Sequence, residues 1–268
     1  MKPVPLERTL RGLPDHASRA TKLRRFCALL CLACVTLLPP SAQSNVVIGG
    51  TRLIYPASER EVTLRLTNEG ARPALVQAWI DDGDLESDPD DVDVPFVITP
   101  PLARINPRTG QTLRVAHLPN TGVATDRESV FWLNVLDVPP LPSGQVANHM
   151  QLAFRSRIKL FFRPVGLPGT PGEAVLKLQW RVVHTSKGAA LQVRNDSAFH
   201  VSLTGAQVKA AGGRGAAVPV PVHMLAPRSV TEFGADKISQ AAGTSGSVAF
   251  EWINDYGATV QRESPLEP

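Results

Sequence analysis

The chain has 268 residues, of which 43% are hydrophobic and 19% charged. That is a length for one large or two ordinary domains, and a hydrophobicity that excludes a disordered chain. Proline makes up 24 of the residues and fits poorly in long helices or central strands, which argues against a mostly helical fold. The net charge of +4 comes from the N-terminal segment: residues 1–44 hold seven of the 28 Lys/Arg and two of the 24 Asp/Glu, leaving 21 basic against 22 acidic residues. A polyanion-binding function inferred from net charge is thereby excluded, and no nucleic-acid partner is expected.

The N-terminal segment reads as an export signal. Lys22, Arg24 and Arg25 precede FCALLCLACVTLL (residues 26–38), and PPSAQS follows. A charged region, a short apolar run and small residues form a secretory signal with cleavage expected before Asn45. Thirteen apolar-rich residues are short for a membrane span, which needs about 20. Cys27, Cys31 and Cys34 all lie in this run. The exported chain would therefore hold no cysteine, which excludes a thiol nucleophile or a cysteine zinc site.

From Val46 onward, short β-branched runs with period-two alternation are separated by Gly, Pro, Asn and Asp. This pattern predicts strands at Val46–Tyr55, Val62–Thr67, Ala74–Asp81, Phe96–Thr99, Thr112–His117 and Val130–Leu136, with a long one from His149 to Arg163. The segment 165–173 (VGLPGTPGE) reads as a linker. Beyond it, strands are predicted at Ala174–Val183, Ala189–Arg194, His200–Lys209, Val218–Met224, Ser229–Gly234, Val248–Ile253 and Thr259–Gln261. The prediction is an all-β chain with no amphipathic run of helix length: a signal segment (1–44) and two β-sandwich domains (45–165 and 166–268). The stretch 81–93 carries eight acids in thirteen residues. Its spacing does not match an EF-hand, and it reads as a solvated connection.

The run HMQLAFRSRIKLFFR (149–163) is the most informative. Met150, Leu152, Phe154, Ile158, Leu160 and Phe162 share one face; Arg155, Arg157, Lys159 and Arg163 share the other. Fifteen residues far exceed the usual strand of about five or six. Part of it must extend past its own sandwich or lie at an edge. An apolar edge strand is an aggregation hazard unless it is used for strand addition to a partner.

This run resembles the last first-domain strand of the PapD-like periplasmic chaperones of chaperone–usher pilus systems. Supporting motifs run in order: TRLIY (51–55), LTN (66–68), VQAWI (76–80), TPP (99–101), DRES (126–129), FWLN (131–134), IKLFFRP (158–164), NDS (195–197) and INDYG (253–257). The resemblance implies two immunoglobulin-like sandwiches set at an angle. Arg52 and Lys159 would anchor the C-terminal carboxylate of a pilus subunit. Met150, Leu152 and Phe154 would fill the groove of a subunit that lacks its last strand. Glu128, Arg163 and Asp255 would form a charge cluster fixing the interdomain angle. The resemblance further implies a periplasmic location, pilus or fimbrial subunits and an outer-membrane usher as partners, self-association without a subunit, and no cofactor or metal.

Enzyme motifs are missing from the sequence. No HExxH, no GxSxG elbow and no paired histidines at helical spacing occur, and GGRG (212–215) lacks a phosphate-loop setting. An exported adhesin or carbohydrate-binding module is the alternative, and 15 aromatic residues in the whole chain supply few for glycan stacking. An exported hydrolase is the third reading, and no motif supports it.

Overall fold

The computed structural model describes residues 46–90, 92–119, 122–140, 151–186, 188–210, 217–234, 238 and 246–268. The signal segment, Met150 and the GGRG stretch lie outside these residues. The described residues form two sandwiches, each with its own core.

In the first sandwich, β1 (Val46–Ile48), β3 (Glu61–Asn68), β7 (Gly110–His117) and β5 (Phe96–Thr99) make a four-stranded sheet in the order β1-β3-β7-β5. The facing sheet has the order β2-β9-β8-β4-β6, from β2 (Arg52–Pro56), β9 (Phe154–Arg163), β8 (Ser129–Val138), β4 (Ala74–Asp81) and β6 (Leu102–Ile105). Alternation assigns the faces: Leu64, Leu66, Leu113 and Val115 from one sheet meet Val76, Leu133, Val135 and Leu160 from the other. In the second sandwich, β10 (Gln179–Thr185), β11 (Gly188–Asn195) and β14 (Ser229–Gly234) face the sheet β13-β12-β15-β16. That sheet comprises β12 (Ser202–Lys209), β13 (Val218–Val220), β15 (Ser247–Ile253) and β16 (Thr259–Pro265). Trp180 and Phe250, with ring centroids 5.0 Å apart, are at its centre.

Four expectations are corrected. The strand predicted at Val46–Tyr55 is two strands, one in each sheet, divided at Gly49–Gly50. A Cβ on Gly49 would stand 3.0 Å from the Arg65 carbonyl, so any side chain at the crossing would crowd the neighbouring backbone. Edge strand β6 was not predicted, because prolines flank it on both sides. Residues 171–176 form a short helix, α1, rather than the start of a strand. Thr170 Oγ1 accepts from Glu173 N (3.2 Å) and Pro171 opens the first turn, so local capping overrides an apolar triplet. The long strand is regular only from Phe154, and Gln151–Ala153 are outside it.

Two buried asparagines knit the loops of the sandwiches in the same way. Asn68 Nδ2 donates to the carbonyls of Arg72 (2.8 Å) and Ile105 (3.0 Å), and its Oδ1 accepts from Gly70 N (2.9 Å). Asn195 Nδ2 donates to Phe199 and Ala226 carbonyls (both 2.8 Å), and its Oδ1 accepts from Ser197. Replacing Asn68 with Ala would take its donor from the buried bond to the Ile105 carbonyl and from the half-buried one to Arg72. Urea denaturation should show a loss of about 1–3 kcal/mol; a loss within experimental error would mean that the loop closes without the side chain.

Candidate functional site

Strand β9 is flanked by β8 along all but its last residue and by β2 along only half. β8 pairs with Phe154 through Phe162, whereas the parallel strand β2 pairs with Lys159 through Arg163. On the β2 side, residues 154–158 of β9 therefore present backbone groups with no neighbouring strand among the described residues. This vacant lane ends where β2 begins, at Arg52 and Lys159, which are register partners. At the open end Leu152 and Phe154 are 51% and 38% exposed, whereas Ile158 and Leu160, on the same face further along, are in the core.

Among the described residues, neither cation forms a salt bridge. Arg52 Nη1 donates to the Ile253 carbonyl (2.9 Å) and its guanidinium lies 5.6 Å from the Phe161 ring centroid. Arg52 Nε is buried and has no acceptor among the described residues. Lys159 Nζ lies 3.4 Å from Ser202 Oγ and 5.6 Å from the Trp132 ring centroid. Burial, and then the Arg52 charge, pull Lys159 below the ordinary lysine value. Arg52 is lowered too, by burial that outweighs the attraction of Asp255 and Glu128. Both shifts come first from burial, which disfavours the charged form of each cation.

The outward face of β9 is braced by a ladder of cations and indoles. Arg155 stacks over Trp79 (4.9 Å) and Arg157 over Trp132 (4.4 Å). Fully buried Asp81 pairs with both arginines, and Asn134 bridges Asp81 (2.6 Å) and Arg155 (2.9 Å). Sequence reading recognised the basic face of β9 but not its partners, because Trp79 and Asp81 are on β4. The ladder stiffens β9 beside the vacant lane. Arg155 Nη1 also donates to the Leu85 carbonyl (2.8 Å), which ties down the acidic connection.

Glu128, Arg163 and Asp255 meet. Arg163 donates to Glu128 Oε1 from Nε (3.0 Å) and Nη2 (2.9 Å), and to Asp255 from Nη1 (2.8 Å) and Nη2 (3.2 Å). Glu128 Oε2 accepts from His200 N (2.9 Å) and lies 3.0 Å from His200 Nδ1. Burial opposes the Arg163 charge, but the hydrogen bonds with Asp255 and the charges of Glu128 and Asp255 outweigh it and raise its pKa. Glu128 and Arg163 belong to the first sandwich, His200 and Asp255 to the second. His200 escaped the sequence reading, since a lone histidine carries no signal of its partner.

A sandwich pair with a braced, half-vacant edge strand, a cation pair at its end and a shared ion cluster can be set beside known proteins. Residues 45–168 match the family described as pili and flagellar-assembly chaperone, PapD N-terminal domain, and residues 173–264 match the pili assembly chaperone PapD, C-terminal domain. The chain belongs to the PapD-like family of pilus-assembly chaperones. Among relatives of this chaperone is the protein named "Probable fimbrial chaperone YadV" of Escherichia coli K12, 40% identical over 245 residues, covering 88% of this chain and 96% of the relative. The crystal structure of YadV superposes with a TM-score of 0.70 at 41% identity, covering 83% of this chain and all of that one. The chaperone protein FimB/FhaD of Bordetella pertussis is 40% identical over 243 residues, covering 89% of this chaperone and 95% of the relative. The SafB chaperone of Salmonella enterica, solved in complex with the SafA pilin, has a TM-score of 0.66 at 26% identity over 85% of this chaperone and 99% of that chain.

Proposed function

We propose that this protein is an exported periplasmic chaperone that lends β9 to incomplete pilus subunits and hands them to an outer-membrane usher. The observation that carries this reading is the vacant lane along residues 154–158, which ends at the Arg52–Lys159 pair. A subunit strand entering that lane continues the line of β2. If its C-terminal carboxylate is to reach Arg52 and Lys159, the strand must run parallel to β9, as β2 does. Main-chain hydrogen bonds then supply the ladder. The two cations give charge-assisted bonds that fix the register. Leu152 and Phe154, with Met150 ahead of them, fill the subunit's groove, each burial contributing about 1.5–3 kcal/mol.

Residues 1–44 direct export, residues 45–165 hold the subunit, and residues 166–268 complete the cleft. The Glu128–Arg163–Asp255 cluster locks the two domains together. No catalytic group or cofactor takes part; the protein acts by binding, and subunit folding supplies the driving force. Without a subunit, the apolar segment at residues 150–154 is covered by self-association.

Co-expression with a pilus subunit encoded beside the chaperone gene tests this reading. A stable one-to-one periplasmic complex is expected, with the subunit degraded when the chaperone is omitted. Failure to form a complex with any such subunit would overturn it.

A further inference from the structure

We propose that Ser202 is a positioning residue of the carboxylate anchor, so that the second domain aims both cations of the first. The inference deepens the reading above and rests on it. Arg52 and Lys159 are cross-strand partners at the end of the β2–β9 ladder. Ser202 and Ile253 are cross-strand partners at the end of the β12–β15 ladder. The two pairs face each other: the Ile253 carbonyl holds the Arg52 guanidinium at 2.9 Å, and the Ser202 hydroxyl is 3.4 Å from the Lys159 ammonium. One residue pair of the second domain thus engages each cation once.

Ser202 is buried, and a buried hydroxyl is kept where it has a partner. Lysine has a flexible four-carbon stem and a compact charge, so its head must be held if two cations are to meet one carboxylate in a fixed register. Arg52 pushes the ammonium away, and the Ser202 oxygen pulls it back toward the domain junction. Pre-holding the side chain lowers the ordering cost when the carboxylate arrives. The hydroxyl accepts from Lys159 with a lone pair, which leaves its own proton free for another acceptor. The anchor therefore exists in working form only while the two domains are docked through Arg163.

The full chaperone would be titrated with a short peptide of alternating apolar residues, made with a free C-terminal carboxylate and again as the C-terminal amide. Wild type is expected to prefer the carboxylate form by about tenfold or more, the scale of a charge-assisted hydrogen bond. Ser202→Ala should cut that preference by about three- to tenfold, leave amide-peptide affinity unchanged, and move the Lys159 ammonium titration followed by NMR. Ser202→Thr should restore the preference, because it restores the hydroxyl. Ser202→Cys, close in shape with a weak sulfur acceptor, should behave as Ser202→Ala, and it serves if the alanine variant does not fold. A wild type indifferent to amidation would overturn the anchor reading itself. A wild-type preference kept in full by a folded Ser202→Ala or Ser202→Cys would overturn the role of Ser202 and leave the anchor standing.

Discussion

Lys159→Met is expected to abolish subunit binding while leaving the free protein as stable as wild type or more so. The two effects oppose each other for one physical reason. Folding partly buries the ammonium beside Arg52 and depresses its pKa. By linkage, a base whose folded pKa lies below its unfolded value destabilises the fold while it is charged, and the penalty fades only as pH rises past those values. The group is partly solvated, so the gain on removing the charge is screened and small. In the proposed binding mode the balance inverts, because the subunit carboxylate would supply the counter-ion. Truncating one partner of a buried, hydrogen-bonded charge pair costs about 2–5 kcal/mol, or roughly 30- to several-thousand-fold in affinity. An anchored carboxylate would raise the Lys159 pKa in the complex above its free value. Affinity should therefore be full on the acid side of the free-state pKa and fall as pH rises through the bound-state value. Lys159→Arg should bind more weakly at neutral pH but lose that alkaline fall. Calorimetry of the variant alone and with the subunit checks both halves. A melting temperature that drops along with complex formation would make Lys159 a structural residue.

Arg163→Met should be the most destabilising single substitution at the domain junction. The guanidinium serves Glu128 and Asp255 at once, and Glu128 is 3% exposed. Without Arg163, Glu128 keeps the His200 contacts and the more distant Arg52 charge to offset its burial. Stranding a buried charge costs about 3–5 kcal/mol. The double variant Glu128→Gln with Arg163→Met should recover much of that loss, since the cost lies in the unpaired charge and not in the missing pair. Urea unfolding followed by tryptophan emission measures it. A loss below about 1 kcal/mol, the value of an exposed ion pair, would show that the cluster does not hold the junction. Subunit affinity should fall too, because Ser202 and Ile253 reach the cations from the second domain.

Much of this architecture could be read in the sequence, and the failures have physical causes. Alternation exposed the two faces of β9, because period two in a half-buried strand is a local property. The predicted strand took in Gln151–Ala153, however, which lie outside β9. β8 pairs as far as Asp137 with Phe154, and upstream of that pair Gln151–Ala153 have no ladder partner among the described residues. A strand needs a neighbour as well as a pattern, and here the subunit would supply the neighbour. The four-residue edge strand β6 was hidden by its flanking prolines, and the crossing at Gly49–Gly50 by the strong β-propensity on both sides. Arg52, Lys159, Glu128, Arg163 and Asp255 came from family motifs in order along the chain. No spacing could have joined Arg163 to Asp255, which are 92 residues apart. Ser202, His200 and Asp81 had no motif of their own, and the motifs that hold Trp79, Trp132 and Asn134 gave no sign of the ladder, since each residue matters through a partner on a distant strand.

The measurement that bears most directly on strand donation is amide exchange in residues 151–158, with the chaperone free and in its subunit complex. In the free protein, diluted until it is monomeric, these amides should exchange quickly on the side facing the vacant lane, while those of Leu160–Phe162, between β2 and β8, stay protected. In the complex, protection should extend through Phe154 toward Gln151, as a strand with partners on both sides requires. A stable complex in which residues 151–158 exchange as fast as in the free chaperone would contradict the account, because the subunit would then be held somewhere other than the edge of β9.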